Sequence, residues 1–516
     1  MNLTTEKVLL KINKNKNKFG NLLKKADLEK NESKKLQYLS DSAHFASYNV
    51  CHHLCSSKIE NELINISKTY NIPLNKTYEK NSFLHVLTEA FPTGGHTRVT
   101  ERWIKNSPAE QKHSVILLKQ KYQNEIPDTL RQNVKEKNGD FIVFDKNAPF
   151  VESALQLRKI ASDYENIILH VHMEDIVPIL AFGTEEFKRP VVFFNHGDHI
   201  FWLGVSISDL VVNFRTCSNS FNEKYRHVKN NAVLPLPICS ENIDNIKENT
   251  EQIIRTRQEL GFQENSKVIL TMASSYKYAP FDNYNFINTI SEILKRTENT
   301  ILLAIGPDQD EEGWYKAFID SKRRINAIGR VEHQNLEKYL AISDLAIDSF
   351  PISSFTALLD IAKYNIPSLA LKTPLNDLDS FSEAGIFSET QEQLINIAVD
   401  ILSKNSGKNR LFEVMQENHF EEGFQKHLIN LYKKFPQEHK LYYFNEDKNR
   451  ELTDLEIFVC KNNMAVNFQK TNIRKIFLIK IPFLLEIYKT TSKINQRMNI
   501  KFFGINISFK IMPLAQ

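Results

Sequence analysis

Long apolar runs, paired cysteines and an excess of charge of either sign are all missing from this 516-residue chain. No window reaches the run of about 20 apolar residues that a membrane-crossing helix needs. The opening "MNLTTEKVLLKINKNKNKFG" lacks the apolar stretch and small-residue cleavage site of a secretory leader. Five cysteines, Cys51, Cys55, Cys217, Cys239 and Cys460, are odd in number and scattered, which argues against a disulfide framework and for a reducing, cytoplasmic setting. Cys51-His52-His53-Leu54-Cys55 has the look of half a metal site, but no second Cys/His cluster supplies the other ligands. A helix with two buried thiols is the plainer expectation, and no metal is expected. With 66 Lys and Arg against 62 Asp and Glu, bulk charge gives no reason to expect nucleic acid as a partner. Glycine and proline, at 15 and 17, are too few for a long low-complexity linker.

What is present is a chain long enough for two domains with extensions. Residues 1–80, rich in Lys, Glu, Asn and Ser with scattered Leu and Ile, read as a helical N-terminal extension. From residue 83 short apolar runs alternate with amphipathic stretches: "FLHVLT", "SVILLK", "DFIVF", "NIILHVH", "PVVFFN" and "DLVVNF". Runs buried on both faces and separated by helical segments predict a parallel sheet with covering helices. "NAVLPLPI" at 231–238 reads as a hinge, after which "KVILTMAS", "TILLAIG", "RINAIG", "DLAIDSF" and "PSLALK" start the alternation again. The expected fold is therefore α/β, two doubly wound Rossmann-like domains at 81–235 and 236–440. A basic, amphipathic C-terminal extension follows at 441–516.

Open parallel sheets bind ligands beyond the carboxyl ends of their strands, so residues that follow strands are the candidates. In the first domain Gly94 and Gly95 let backbone approach a ligand, with His96 and Arg98 opening the next helix. "HVHMED" offers His172, and "HGDHIFW" packs His196, Asp198, His199 and Trp202 into one strand exit. His196 or Asp198 suits a base, and Trp202 suits stacking on a sugar ring. In the second domain Ser274, Ser275 and Lys277 follow a strand, and the lysine suits a departing diphosphate. Asp308-x-Asp310 imitates a metal-binding pair, but its place in an acidic run before a helix reads as an acidic first turn. Arg330 and Val331 come to another strand end, where the Val331 backbone suits pairing with a base edge. "DSFPISSFTALLDIAKYNIPSLAL" then supplies Ser353, Ser354, Thr356 and Asp360.

Two doubly wound units, the Gly-Gly turn, "LAIGP", "AIGRVEHQNLEKYLAISDLAIDSFP" and the hydroxyl-rich helix start before Asp360 together resemble a nucleotide-sugar glycosyltransferase of the GT-B fold. The likeness spans residues 83–435. Its C-terminal part is similar to protein O-GlcNAc transferases and their bacterial relatives, and more loosely to the large retaining family 4. The resemblance implies two domains facing across a cleft. It implies a nucleotide-sugar donor, a UDP-sugar above all, as substrate with no cofactor. Gly94, Gly95, Ser274, Ser275, Arg330, Val331, Ser353, Ser354 and Thr356 would meet that donor, Asp360 its ribose hydroxyls and Lys277 its diphosphate. His96, Arg98, His172, His199 and Trp202 would meet the acceptor, and His196, Asp198 and Lys277 would act in catalysis. Two departures stand out. Ser353-Ser354 replaces a Gly-Gly of the O-GlcNAc transferase relatives, and Asp348 or Ser349 stands where family 4 has the first of two glutamates spaced eight apart. The stereochemical outcome does not carry over.

Glycosyl transfer in bacterial surface glycan synthesis (capsule, lipopolysaccharide or glycoprotein) is the expected function, with a glycan, a lipid-linked sugar or a protein as acceptor. The alternatives are another GT-B enzyme, an epimerase or phosphorylase, and a non-catalytic binding protein. The tail carries Arg474, Lys475, Lys480, Lys489, Lys493, Arg497, Lys501 and Lys510 among Ile, Leu and Phe. Two readings of it stay open: a helix and hairpin packed on the body, or contact through 471–510 with the inner face of the cytoplasmic membrane.

Overall fold

The computed structural model describes residues 5–92, 95–197, 200–238, 248–332, 335–375, 379–404, 410–446, 450–464, 486–492, 495–502 and 505–510. Seven strands, β1 (Glu79–Leu87), β2 (Lys112–Leu117), β3 (Phe141–Val143), β4 (Tyr164–His170), β5 (Val191–Phe194), β6 (Leu210–Asn213) and β7 (Asn231–Val233), form one parallel sheet. Its order is β3-β2-β1-β4-β5-β6-β7. All four residues of β5 and all four of β6 are buried, as continuous Val, Leu and Phe runs covered on both faces must be. The order reverses between β1 and β4, and a strand-order reversal of this kind opens a crevice at the carboxyl ends.

The N-terminal helices α1 (Thr5–Leu28), α2 (Glu32–Tyr48) and α3 (Ser57–Thr69) are not a separate extension. Phe19, Leu23, Leu36, Leu39, Leu63 and Ile64 share one buried core with Leu84 and Val86 of β1 and Ile167 and Leu169 of β4. Asn31 caps α2 by accepting the Lys34 N–H, and Ser56 caps α3 by accepting that of Ile59. Buried Glu60 then ties α3 to the turn between β5 and β6 by accepting the N–H groups of Gly204, Val205 and Ser206 at 2.9, 3.2 and 2.6 Å. Cys51 and Cys55 are buried, as expected, but in the connection between α2 and α3 rather than in a helix. Among the described residues no His, Cys, Asp and Glu cluster could hold a metal ion.

Six strands, β8 (Lys267–Met272), β9 (Thr300–Ile305), β10 (Ile325–Ala327), β11 (Leu345–Ile347), β12 (Ser368–Leu371) and β13 (Phe387–Ser388), make the second parallel sheet, in the order β10-β9-β8-β11-β12-β13. It too is doubly wound and reverses once, between β8 and β11. Separate apolar clusters, one around Phe286, Ile290 and Trp314 and one around Leu270, Leu303 and Leu340, cover it.

The chain divides into one unit of residues 1–243, 377–385 and 410–460 and another of 244–376, 386–409 and 461–516. This differs from the expected boundary at 440, because the chain returns to the first unit at residue 410. There His419 Nδ1 lies 2.8 Å from the Leu236 carbonyl oxygen, and Trp103 Nε1 donates to the Tyr432 hydroxyl at 2.9 Å. Of the basic tail, residues 486–492, 495–502 and 505–510 form a three-stranded antiparallel sheet, and the remainder of 471–510 lies outside the described residues. No described helix is long and apolar enough to cross a membrane.

Candidate functional site

At the reversal of the second sheet, the loop after β8 and the loop after β11 meet. Lys277 Nζ donates to the Ser353 carbonyl oxygen at 2.9 Å, and the Ile352 N–H approaches the Lys277 carbonyl oxygen at 3.5 Å. Asp348, directly after β11, organises the turn. Its Oδ1 accepts the N–H groups of Ser349 and Ser354 at 2.8 and 3.0 Å and the Ser354 hydroxyl at 2.5 Å, while Oδ2 accepts the Ser353 hydroxyl at 2.5 Å. Burial pushes the Asp348 carboxyl up, against the Ser353 and Ser354 hydrogen bonds and the nearby Lys277 charge. Both serine hydroxyl protons are thus given to a carboxylate. Whatever Ser353 and Ser354 offer a ligand is an oxygen lone pair or a backbone group.

Thr356 is the exposed first residue of the helix Thr356–Ala362, and half-buried Asp360 lies one turn on. Ser274 is exposed, whereas the Ser275 hydroxyl donates to Glu311. Arg330 is exposed just past β10, and Val331 packs partly against the core. The glycines of "LAIGP" and "AIGR" have a definite task here. Gly306 has φ +118°, and a Cβ on it would stand 1.9 Å from the Ala273 carbonyl oxygen, so only glycine lets the loops after β8 and β9 press together. Gly329, at φ +76°, would put a Cβ 2.6 Å from Asp308 Oδ1. Asp308 and Asp310 are exposed and lead into the helix Glu312–Asp320.

At the reversal of the first sheet, histidines from three strand exits converge. His96 lies in the first turn of α4 (Gly95–Asn106), His172 follows β4 and His196 follows β5. The rings of His96 and His196 are 4.4 Å apart and those of His96 and His172 are 6.4 Å apart, while Phe91 stacks on His172 at 6.0 Å. His96 Nε2 and His196 Nδ1 are buried with no hydrogen-bond partner among the described residues. Burial, with the neighbouring imidazoles, pushes His96 down to about 4 and His196 well below the ordinary range. Both are neutral near pH 7. The floor of this site is fixed by buried Asp175, which accepts the Thr88 hydroxyl at 2.7 Å and the Val177 N–H at 3.0 Å, with Lys119 at 3.5 Å. Thr88 in turn accepts the His172 N–H at 2.9 Å. Gly95 and Arg98 open α4 beside His96, whereas Gly94, Asp198 and His199 lie outside the described residues.

Trp202 corrects the sequence reading. It is fully buried, stacked on Phe193 at 4.7 Å with Arg226 over its ring at 5.1 Å, and its backbone N–H donates to the Leu54 carbonyl oxygen at 3.1 Å. An indole with both faces covered has none left for a sugar, so Trp202 is a packing residue.

Sequence reasoning also passed over residues that the structure makes prominent. Asp348 was noted only as a departure from a family pattern, although a buried acid followed by Ser-Ser within six residues is a readable signal. His85, His113 and His170 were passed over inside their strands, yet "FLHVLT", "KHSVILLK" and "NIILHVH" each carry a histidine within an apolar run, on three neighbouring strands.

No protein-family model and no curated protein matches the chain. Among solved structures it is similar to Anabaena HepE in complex with UDP and glucose, at 12% identity and a TM-score of 0.48 over 68% of this chain and 99% of that one. A glycosyltransferase from Rickettsia africae matches at 13% identity and 0.45, over 79% and 100%. A variant of the Thermobaculum terrenum O-GlcNAc transferase matches at 12% and 0.46, over 88% and 83%. Identities this low with TM-scores under 0.5 carry no chemistry from those proteins to this one.

Proposed function

We propose that the chain transfers a sugar from a nucleoside diphosphate sugar, with UDP as nucleotide, to an acceptor hydroxyl or amide. The observation that carries this reading is the meeting of Lys277 with the Asp348–Ser354 turn where the second sheet reverses. A fixed cation there suits a leaving diphosphate, because charge accumulates on that group as the glycosidic bond breaks. Ser274 and Thr356 flank the cation and meet the phosphates, Asp360 accepts from the ribose hydroxyls, and Arg330 and the Val331 backbone hold the base. The strand-end histidines of the first unit hold the acceptor. His196 takes its proton, since a base must be unprotonated at the working pH and burial keeps this imidazole neutral. A bacterial surface glycan is the acceptor class that a basic tail meeting a membrane surface would favour.

The test is a thermal-shift panel of UDP, GDP, CDP and ADP with their sugar conjugates. A ligand at a hundred times its Kd adds about 2.7 kcal/mol of stability. A shift with the uridine compounds that disappears in Asp360→Ala is expected. No shift with any nucleotide would overturn the reading.

A further inference from the structure

Three histidines stand in series through the core of the first sheet. Gln111 Oε1 lies 3.2 Å from His113 Nε2, His113 Nδ1 lies 2.9 Å from His85 Nε2, and His85 Nδ1 lies 3.0 Å from His170 Nε2. All three imidazoles are fully buried, whereas Gln111 is half-buried at the outer end. Packing holds the rings in place. Phe83 stacks on His113 at 4.8 Å and 6°, and Trp103 sets its edge against His85 at 5.9 Å and His170 at 5.7 Å. The inner end, His170 Nδ1, is buried with no hydrogen-bond partner among the described residues. His85 and His96 are the titratable groups that act on His170, and the Lys137 ammonium acts on His113 at the other end.

A neutral imidazole has one donor and one acceptor nitrogen, so the tautomers along such a chain are coupled. While Gln111 presents its oxygen, His113 must donate from Nε2. His113 Nδ1 then accepts from His85 Nε2, and His85 Nδ1 accepts from His170 Nε2, which leaves a bare lone pair at His170 Nδ1. With the Gln111 amide turned over, its N–H faces His113 Nε2 and every ring takes the opposite tautomer. His170 Nδ1 then carries a proton. One proton entering at His170 Nδ1 from the strand-end histidines and one leaving from His113 Nε2 to solvent water at the half-buried Gln111 end interconverts the two states, with each ring passing on its own proton and staying neutral.

We propose that His113, His85 and His170 form a proton relay joining the surface at Gln111 to the histidine cluster at the strand ends. Its use in turnover rests on the base role proposed above, but the coupling of the three tautomers does not.

Two experiments separate these. Long-range proton–nitrogen NMR of protein labelled with nitrogen-15 histidine reads each tautomer without any substrate. In the wild type and in Gln111→Glu, whose carboxylate only accepts, all three rings are expected as the Nε2–H form. In Gln111→Lys or Gln111→Arg, whose side chains only donate, His170 is expected to change to Nδ1–H, although two rings separate it from residue 111. A His170 tautomer unmoved by both cationic variants overturns the relay. For turnover, His85→Gln keeps a donor and an acceptor but passes no proton. Its kcat is expected to fall at least tenfold with an enlarged solvent isotope effect, while the donor KM stays within twofold. An unchanged kcat removes the relay from catalysis. If the wild type itself transfers no sugar, the proposed function fails while the NMR result still decides the relay.

Discussion

Lys277 Nζ lies 2.9 Å from the carbonyl oxygen of Ser353, so the loops that follow the first and fourth strands of the second sheet are joined by a charged hydrogen bond at the point where that sheet reverses. A lysine held this way is oriented before a ligand arrives. Lys277→Ala is expected to lower kcat by about 100-fold, the usual loss for one preorganised group on a leaving charge. The melting temperature should change little, because the residue is only half-buried. Steady-state kinetics beside a thermal melt checks this, and a kcat within threefold of wild type would remove Lys277 from the chemistry.

Asp348 is a different kind of residue in the same turn. Its carboxylate accepts four donors from Ser349, Ser353 and Ser354, all within the loop it closes. Asp348→Ala leaves those buried donors without an acceptor and is expected to cost about 1–3 kcal/mol or more in a urea titration. Asp348→Asn keeps one acceptor oxygen and should lose less. Donor KM is expected to rise in both, since the turn positions the backbone beside Lys277. Full stability in Asp348→Ala would show that the loop holds its shape without the acid.

The sheets were legible because parallel strands buried on both faces write themselves as unbroken apolar runs, and each run such as "PVVFFN" or "TILLAIG" became a strand. The glycines of the second unit were visible in "LAIGP" and "AIGR", but their task was not, because the approach of Gly306 to the Ala273 carbonyl exists only between loops far apart in sequence. Helices 1–80 were misread as an extension because their apolar positions are spaced among many charges. Only tertiary contact shows Phe19 and Leu63 sharing a core with β1 and β4. The histidine series was missed for a related reason. His85, His113 and His170 come from strands far apart in sequence, and only the order β2-β1-β4 puts them side by side.

Trp202 illustrates the opposite error, in which residue type suggested a role that burial removes. Trp202→Phe keeps the stack on Phe193 and is expected to leave the acceptor KM within twofold of wild type. Trp202→Ala opens a cavity in the core and should cost about 3–5 kcal/mol. Acceptor saturation curves for Trp202→Phe decide the matter, and a tenfold rise in KM would return the indole to the acceptor site.

Buried histidines make the first unit sensitive to acid. Burial holds His113 down to about 3 and His96 and His419 down to about 4, and pushes His85, His170 and His196 well below the ordinary range. The unfolded chain takes up protons at these rings near pH 6.5, whereas the native chain does not. Their contribution is therefore complete above pH 6.5 and is lost as pH falls toward each folded value. Each ring contributes a slope of about 1.4 kcal/mol per pH unit across that interval. Glu60 acts in the other direction. Burial raises it to about 7 against the N–H groups of Ser206, Gly204 and Val205, so its contribution is present below 4.5 and fades as pH rises through 7. One carboxyl does not offset six imidazoles. The urea midpoint is thus expected to drop steeply between pH 6.5 and 5, and His113→Phe should flatten that drop by about one proton's slope. A midpoint constant over this range would mean that the rings are charged and hydrated in the native state, and the neutral histidine series could not then exist.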